Sequence, residues 1–266
     1  MIIVGEKING TLKAVQAAIL ERDAAFIAEL ARRQAEAGAD YLDVNAGTAP
    51  GREEEDLKWL VEVVQEVVDT PLCLDSPRPE TLAAVLPQVR RPGGLLNSVT
   101  AEPGKPGKVF PLAAEYRFGV VSLTIDERGI PKDVETRVDI ASRLIEEAGK
   151  YGLREEYIYV DPLVTTLATA STSGKMFVEA VREIKGRFPE VHVISGLSNV
   201  SFGLPLRRTL NRTFLVLARE AGMDAAIVDP LDDELMVTIQ ATELLLGEDP
   251  YCRRYLQYCR SRKARV

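Results

Sequence analysis

The segment Tyr41-Leu42-Asp43-Val44-Asn45 is a short, mostly apolar run that ends in a carboxamide. Runs of the same shape, closed by Asp or Asn, recur at Leu72-Cys73-Leu74-Asp75, Leu95-Leu96-Asn97, Tyr159-Val160-Asp161, Leu197-Ser198-Asn199 and Ile227-Val228-Asp229. An apolar run bounded in this way is typical of a strand that is buried on both faces. Because a polar residue closes each strand, we expect several polar side chains to converge and to form a floor for a flat, hydrogen-bonding ligand.

Helical patterns separate these strands along the whole chain. In one of them Leu57, Leu60, Val61 and Val64 fall on a single face at i, i+3, i+4 and i+7. We predict eight strands, at residues 2–8, 41–45, 72–75, 95–99, 120–125, 157–161, 191–197 and 225–229. Eight strands that alternate with helices match a (βα)8 barrel, which typically has about 250 residues. The chain has 266.

We therefore predict a single-domain α/β protein, a (βα)8 TIM barrel over residues 1–266, with a C-terminal helix and a basic tail at about 250–266. A doubly wound open sheet is the alternative. It requires a glycine-rich phosphate loop after an early strand, and neither GxGxxG nor GxxxxGK[ST] occurs in the sequence.

Composition excludes several classes of function. A net charge of -7 argues against nucleic acid or an anionic membrane as the main partner. No apolar stretch reaches ~18 residues, so no membrane-spanning helix is expected. Three cysteines and no secretory leader favour a reducing cytoplasm. The single histidine, His192, excludes a two-histidine metal site, and we expect it to be satisfied locally within a strand.

In a barrel of this kind the ligand site lies at the carboxyl ends of the strands. The candidate floor residues are Glu6, Asn9, Asp43, Asn45, Asp75, Asn97, Asp161, Asn199 and Asp229. Asp and Asn are also common in turns and at helix N-caps, and we assign about half of the set to that structural role. Asp43 and Asp229 are the members we expect to be structural. Ser76 and Ser201 could cap in place of Asp75 and Asn199.

The chemistry of this floor indicates the kind of ligand. Carboxylates accept hydrogen bonds and carboxamides both donate and accept. No Ser-His or Cys-His pair supports an activated nucleophile. Lys7 would allow a Schiff base and converging carboxylates would allow Mg²⁺. Amides are as frequent as acids, however, which favours a planar heterocycle with an amino-pyrimidinone edge, as in pterins and purines. No tightly bound metal is expected.

Seven segments also point to one enzyme family. They are Gly5-Glu6-Lys7-Ile8-Asn9-Gly10, Leu42-Asp43-Val44-Asn45, Cys73-Leu74-Asp75-Ser76, Leu96-Asn97-Ser98, Asp161-Pro162-Leu163, Gly196-Leu197-Ser198-Asn199-Val200-Ser201 and Asn211-Arg212-Thr213-Phe214-Leu215. In this order they resemble the methyltetrahydrofolate:corrinoid-protein methyltransferases. These are pterin-binding barrels related to the folate domain of cobalamin-dependent methionine synthase and, more distantly, to dihydropteroate synthase. The resemblance covers essentially the whole chain.

The resemblance implies methyl transfer between N5 of methyltetrahydrofolate and the cobalt of a corrinoid. It implies that Asp75, Asn97 and Asp161 bind the pterin and that Asn199 hydrogen-bonds near N5 and is catalytic. The matching arginine is Arg207, with Arg208 equally well placed. We also assign four further residues to the pterin site, Glu6, Asp43, Asn45 and Ser198.

The corrinoid is expected to arrive on a partner protein, because His192 does not match the cobalt-ligating pattern Asp-x-His-x-x-Gly. The partner could be a corrinoid iron–sulfur protein or the corrinoid protein of a demethylase system, and the direction of transfer stays open. Phe202, Leu204 and Leu206 are candidates for the docking rim, with ordinary loop packing as the alternative. The resemblance further implies a homodimer.

Two other functions remain as alternatives. A dihydropteroate-synthase-like condensation would require a lysine and an Arg-x-His pattern late in the chain, and neither is evident. A non-catalytic pterin-binding scaffold for a corrinoid protein would retain the floor but lack the transfer reaction.

Overall fold

The computed structural model describes residues 1–263, and side chains as far as residue 261. The last residues of the predicted basic tail, 264–266, lie outside the described residues. The strands are β1 (Ile2–Asn9), β2 (Tyr41–Asn45), β3 (Leu72–Asp75), β4 (Leu95–Thr100), β5 (Gly119–Leu123), β6 (Ile158–Asp161), β7 (His192–Val193) and β8 (Ala225–Val228). The helices are α1 (Lys13–Glu21), α2 (Ala24–Glu36), α3 (Pro50–Gln65), α4 (Pro79–Val85), α5 (Pro106–Tyr116), α6 (Val134–Lys150), α7 (Ser173–Arg187), α8 (Arg207–Glu220), α9 (Asp233–Leu245) and α10 (Arg253–Lys263).

The strands form one parallel sheet in the order β7-β6-β5-β4-β3-β2-β1-β8. The two outer strands meet, because the amide of Ile227 donates to the carbonyl of Ser195 at 3.0 Å and that of Asp224 donates to Val193 at 3.2 Å. These bonds close the sheet on itself. The predicted TIM barrel is therefore confirmed.

Side chains alternate between the inside and the outside of the barrel, as the two-residue period of a strand requires. One apolar cluster fills the inside and includes Val4, Cys73, Leu95, Val121 and Tyr159. The intervening residues, such as Leu42, Leu74 and Val160, belong to the larger core beneath the helices. Two residues beyond Cys73, Leu95 and Tyr159 on the same strands stand Asp75, Asn97 and Asp161. The apolar interior thus becomes polar at the carboxyl ends of the strands.

Most helices have one apolar face against the barrel, and several begin at a side-chain cap. Asp23, Asp133 and Asp232 accept from the amides of Phe26, Thr136 and Leu235 at the starts of α2, α6 and α9. The buried face of α6 is Val138, Ala141, Leu144, Ile145 and Ala148. Among the described residues no helix is long and apolar enough to cross a membrane.

The predicted seventh strand is wrong in its extent. β7 contains only His192 and Val193, and the chain then turns into a 3₁₀ helix from Leu197 to Ser201. Ser195, Gly196 and Ser198 have little preference for extended backbone, so the strand ends early. The turn that follows places Ser198 and Asn199 at the barrel mouth. The predicted C-terminal helix is present as α10 and begins at Arg253.

His192 is the first residue of β7 and lies at the opposite end of the barrel from the carboxyl ends of the strands. Its Nδ1 is 3.1 Å from the carboxylate of Asp224, and its ring stacks on Tyr159 with 4.6 Å between centroids. This histidine is satisfied locally, as predicted.

Candidate functional site

The floor of the site is built from acid–amide pairs on three adjacent strands. Asn45, Asp75 and Asn97 lie in register on β2, β3 and β4. The Nδ2 of Asn45 donates to Oδ2 of Asp75 at 2.7 Å, and the Nδ2 of Asn97 donates to Oδ1 of Asp43 at 3.3 Å. Each amide therefore holds one carboxylate in place and keeps its own carbonyl oxygen available to a ligand.

A cavity of about 310 Å³ opens above this floor, within the range of small-molecule sites. From the floor, Asp43, Asp75 and Asn97 line this cavity and Asn45 does not. The other lining residues are Glu6, Lys7, Asn9, Thr11, Leu12, Gly196, Ser198, Asn199 and Ile227. Going round the barrel, β2 to β4 supply two acids and an amide, while the turn after β7, strand β8 and strand β1 supply Asn199, Ile227 and Glu6. The cavity thus has a polar wall and a mixed wall that face each other.

The acids at this end of the barrel are hard to ionise. Burial, followed by repulsion from Asp229, raises the pKa of Glu6 to about 7. Burial raises the pKa values of Asp75 and Asp161 to about 6. The pKa of Asp43 lies well above its usual range because of burial and the neighbouring charge of Asp75. A ligand that donates hydrogen bonds would stabilise the ionised acids and so bind selectively.

Asp161 lies at the same end of the barrel, but it is not among the residues that line this cavity. It is 7% exposed, and its Oδ1 accepts from the amide of Leu163 at 2.8 Å. The guanidinium of the fully buried Arg137 donates to the carbonyl of Leu163 at 2.6 Å and to that of Pro131 at 3.2 Å. The positive charge of Arg137 opposes the rise in the pKa of Asp161.

Asn199 is carried by the 3₁₀ turn after β7, and its exposed side chain lines the cavity. A Cβ on Gly196 would lie 3.1 Å from Nδ2 of Asn199, so this glycine leaves room for the amide. Arg207 braces the turn from outside, with Nη2 2.9 Å from the carbonyl of Ser198 and Nε 3.1 Å from Oγ of Ser201. Arg208 instead lies 3.7 Å from Asp232. Ligand contact by Arg207 or Arg208 stays a prediction.

Three of the nine candidates form turns after their strands, which is fewer than we expected. Asn9, Asp161 and Asp229 accept from the amide two residues further on. The expectation that Asp43 is a capping residue is wrong: Ala49 precedes α3 without a side-chain cap, and Asp43 is buried in the floor. The α4 helix has no side-chain cap either: the hydroxyl of Ser76 donates to Glu53 at 2.7 Å and accepts from the amide of Arg78, the residue before the helix, at 3.2 Å.

Sequence reasoning missed the residues that brace the site from behind. Buried Glu53 accepts from Ser76, from Nε of Arg78 at 2.5 Å and from Thr81, and its charge contributes to the raised pKa of Asp75. Arg137 supports Asp161 in a similar way, because it donates to the carbonyl of Leu163, whose amide donates to Asp161. Both residues read as ordinary helix residues in the sequence, and no local signal distinguishes them. Among the described residues no cluster of His, Cys, Asp and Glu is placed to hold a metal ion.

This constellation of barrel and strand-end acids and amides has counterparts in known proteins. A family model described as pterin binding enzyme matches residues 6–229, which run from Glu6 to Asp229 and include the whole floor. The chain therefore belongs to the pterin-binding enzyme family.

Within this family the chain is 46% identical over 265 residues to the methylcorrinoid:tetrahydrofolate methyltransferase of Eubacterium limosum, covering 99% of this chain and 97% of that protein. It is 35% identical over 243 residues to the methionine synthase of Mycobacterium tuberculosis, a match that covers 86% of this chain and 20% of that protein. The family resemblance predicted from the seven segments is confirmed.

Solved structures resemble the chain in fold. Dihydropteroate synthase of Xanthomonas albilineans, in complex with 7,8-dihydropteroate, superposes with a TM-score of 0.68 at 20% identity and 92% coverage of both chains. Dihydropteroate synthase of Stenotrophomonas maltophilia superposes with a TM-score of 0.68 at 16% identity and 94% coverage of both. At these identities the likeness shows the barrel and nothing more.

Proposed function

We propose that this protein is a methyltransferase that moves a methyl group between the cobalt of a corrinoid, carried by a partner protein, and N5 of tetrahydrofolate. The observation that carries the proposal is the identity of 46% along nearly the full length of a methylcorrinoid:tetrahydrofolate methyltransferase. The donor and acceptor in that relative's name support transfer from the corrinoid towards tetrahydrofolate. A corrinoid protein of a demethylase system is the partner that we propose.

The acid–amide floor suits the amino-pyrimidinone edge of a pterin. A ring N–H and an exocyclic amino group form a two-pronged donor that pairs with a carboxylate such as Asp75. Asn97, fixed by its bond to Asp43, has a carbonyl oxygen to spare, and Asn45 holds Asp75 in orientation. Asp161, which lies beside Ser195 and Gly196 at the same end of the barrel, is the third acid that we assign to the pterin. Binding would draw the raised pKa values of these acids down and ionise them.

Asn199 is the residue we assign to catalysis. As the bond between the methyl carbon and N5 forms or breaks, the charge on nitrogen changes, and a neutral amide can adapt to either state because it donates and accepts. An interaction that strengthens only in the transition state lowers the barrier. The exposed side chain of Asn199 stands on the open side of the cavity. The corrinoid itself supplies the exchangeable methyl–cobalt bond.

The corrinoid partner would dock over the open mouth of the barrel. Phe202 is 67% exposed and Leu206 is 81% exposed, and both lie within a few residues of Asn199 along the chain. Arg207 packs on the ring of Phe202, with 5.7 Å from its Cζ to the ring centroid. We assign this apolar and basic rim to the corrinoid protein. A reducing cytoplasm is the setting we propose, since Cys73, Cys252 and Cys259 are all free. The homodimer that the family resemblance implies is part of the same proposal.

The test is to mix the purified chain with tetrahydrofolate and methylcob(III)alamin and to follow loss of the methylcobalt absorption. We expect formation of methyltetrahydrofolate, and the reverse reaction with methyltetrahydrofolate and cob(I)alamin. Folate binding without transfer in either direction would indicate a scaffold. Condensation of a pterin diphosphate with 4-aminobenzoate would indicate a dihydropteroate-synthase-like enzyme instead.

A further inference from the structure

Glu6 lies between two cavities at the barrel mouth. It lines the 310 Å³ cavity that holds the acid–amide floor, and it also lines a second, smaller cavity of about 50 Å³. The smaller cavity lies between the 3₁₀ turn, the start of α8 and the end of β8. Its lining is rich in charged and polar side chains, which are Glu6, Ser198, Arg208, Asn211, Arg212, Asp229 and Asp232. A volume of this size has room for a few water molecules.

The smaller cavity reaches the surface of the protein. Arg208, one of its lining residues, has a side chain that is 83% exposed. Oδ1 of Asn211 is buried without a hydrogen-bond partner among the described residues, and Asn211 lines the same cavity. Such a polar path with an unsatisfied acceptor is suited to water that connects the site to solvent.

Glu6 differs from the other acids of the floor in having no hydrogen-bond partner. Asp75 is held by Asn45 and Asp43 by Asn97. Asp161 is bonded to the amide of Leu163. No donor among residues 1–261 forms a hydrogen bond with the carboxylate of Glu6, whose neighbouring charges act on it through space. The carboxylate is therefore available to bind and release a proton.

On the function proposed above, we infer that Glu6 exchanges the N5 proton of the folate with solvent through the smaller cavity, and so acts beside Asn199 in the methyl transfer. Glu6 on β1 and Asn199 in the 3₁₀ turn after β7 line the same wall of the main cavity, and β1 and β7 flank β8 on either side. The floor acids on β2 to β4 lie on the opposite wall, where they suit the pyrimidine edge.

In either direction one bond to the methyl carbon forms, one breaks, and one proton moves. In methylation of tetrahydrofolate the N5 lone pair attacks the methyl carbon, the N5–carbon bond forms and the cobalt–carbon bond breaks. The bonding pair stays on cobalt, which passes from Co(III) to Co(I). N5 then carries a positive charge, and its proton passes to the carboxylate of Glu6 and onward to solvent. In the reverse direction protonated Glu6 returns the proton to N5 and makes it a better leaving group.

The electrostatic setting of Glu6 fits this role. Burial and the charge of Asp229 raise its pKa to about 7, whereas Lys7 and Arg207 act in the opposite direction. Lys7 and Asp229 are themselves paired at 3.1 Å. Other charged groups that face Glu6 across the two cavities are Asp43, Arg208, Arg212 and Asp232. A proton carrier works best when its pKa is close to the working pH.

The experiment measures single-turnover methyl transfer between pH 5.5 and 8.5 with free cobalamin, in both directions, for the wild-type chain and for Glu6→Gln. The wild-type rate of tetrahydrofolate methylation should rise with pH around the value of about 7 for Glu6. The rate of methyltetrahydrofolate demethylation should fall over the same range. In Glu6→Gln both profiles should lose this midpoint, with a rate lower on the order of 10²-fold. The Kd for tetrahydrofolate should change little.

Asp229→Asn provides the second variant, because it removes a neighbouring charge and keeps Glu6. Its midpoint should move to lower pH. Glu127→Gln makes the same chemical change on an exposed turn outside both cavities, and it should match the wild-type protein.

An unchanged pH midpoint in Glu6→Gln would overturn the inference. So would a large rise in Kd with no fall in the single-turnover rate, which would make Glu6 a binding residue only. Absence of any transfer by the wild-type chain would instead overturn the proposed function on which the inference rests.

Discussion

At the scale of single residues, Asn199 stands apart from the other amides of the site. Asn45 and Asn97 donate to carboxylates of the floor, whereas the side chain of Asn199 forms no hydrogen bond with any described residue. An amide without a protein partner can turn towards a ligand at no cost in lost contacts. The two fixed amides suit recognition and the free one suits a role that changes during the reaction.

Replacing Asn199 by Ala should lower the methyl-transfer rate on the order of 10²-fold, the usual effect of removing one donor from a transition state. The Kd for methyltetrahydrofolate should change far less, because the floor is intact. Single-turnover kinetics and titration calorimetry measure the two quantities separately. A single-turnover rate equal to that of the wild-type protein would remove Asn199 from the mechanism.

Arg137 is the residue through which Asp161 is held in place. Its guanidinium is buried, it has no carboxylate within salt-bridge distance among residues 1–261, and it donates to the carbonyls of Leu163 and Pro131. Replacing Arg137 by Met should raise the pKa of Asp161 above its value of about 6, since the opposing positive charge is lost. Folate affinity should then fall at neutral pH and recover in part as the pH rises, in a titration of Kd against pH.

Arg143→Met is the matched control, because half-exposed Arg143 stands on the same helix and pairs with the buried carboxylate of Asp126 at 3.1 Å. Thermal unfolding shows whether Arg137→Met is folded, and Arg137→Lys retains the charge if it is not. A folded Met variant with the wild-type dependence of Kd on pH would contradict this role for Arg137.

At the scale of elements, the mouth of the barrel depends on a close approach between β1 and the loop after β2. The amide of Gly10 donates to the carbonyl of Asn45 at 2.8 Å. A Cβ on Gly10 would lie 1.8 Å from the carbonyl oxygen of Ala46, and one on Gly47 would meet the backbone of Gly10 at 2.6 Å. Only glycines let these two segments approach, and this contact sets where Asn9 and Asn45 stand.

Gly10→Ala should therefore force the backbone apart and lower the free energy of unfolding by on the order of 3 kcal/mol. Folate binding should weaken as well, because Asn45 moves and no longer holds Asp75. Chemical denaturation measures the first effect and calorimetry the second. Gly51→Ala is the control. Nothing lies within 4 Å of its added Cβ, and its position in α3 predicts equal or slightly higher stability. Equal behaviour of the two variants would contradict the close-approach account.

At the scale of the whole molecule, the site acids cost stability when they ionise. The folded state retains protons on Glu6, Asp75 and Asp161 up to about pH 6 to 7, whereas the unfolded chain releases them near pH 4. Their protonated forms favour the folded state, and this contribution is lost as the pH rises through the folded pKa values. In the opposite direction, Asp126 has a pKa of about 2, so its contribution is lost only in strong acid.

The ligand-free protein should accordingly have its highest melting temperature on the acid side of neutrality and become less stable by pH 8. Asp75→Asn removes one ionisable acid from the floor, and it should raise the melting temperature at pH 8 by a few degrees. It should have almost no effect near pH 4.5. Thermal scans of the wild-type protein and of Asp75→Asn from pH 4 to 9 measure these differences in melting temperature. Folate should stabilise the wild-type chain but not this variant. A melting temperature of the variant below wild type at pH 8 would contradict the expectation.

The sequence by itself determined the barrel and most of its floor. Apolar runs closed by Asp or Asn predict strands with polar residues that converge at their ends. These features are local, and so a reader of the chain can find them. That Asp75 and Asn97 face inward follows from the structure, which places Cys73 and Leu95, two residues earlier, inside the barrel. The seven segments added the family, and the match over residues 6–229 confirmed it.

Only the tertiary structure decided which of the polar residues do which work. The sequence predicts that Asp43 forms a turn, but Asp43 is buried and accepts a hydrogen bond from Asn97. Asn9, at the end of β1, does form a turn. Glu53 and Arg137 stand behind Asp75 and Asp161 although 22 and 24 residues separate the partners along the chain. Burial and the charge of Asp229 raise the pKa of Glu6, although Asp229 follows the last strand and Glu6 lies on the first. Burial and charge act through space, and distance in space is set by the closed sheet and not by position in the chain.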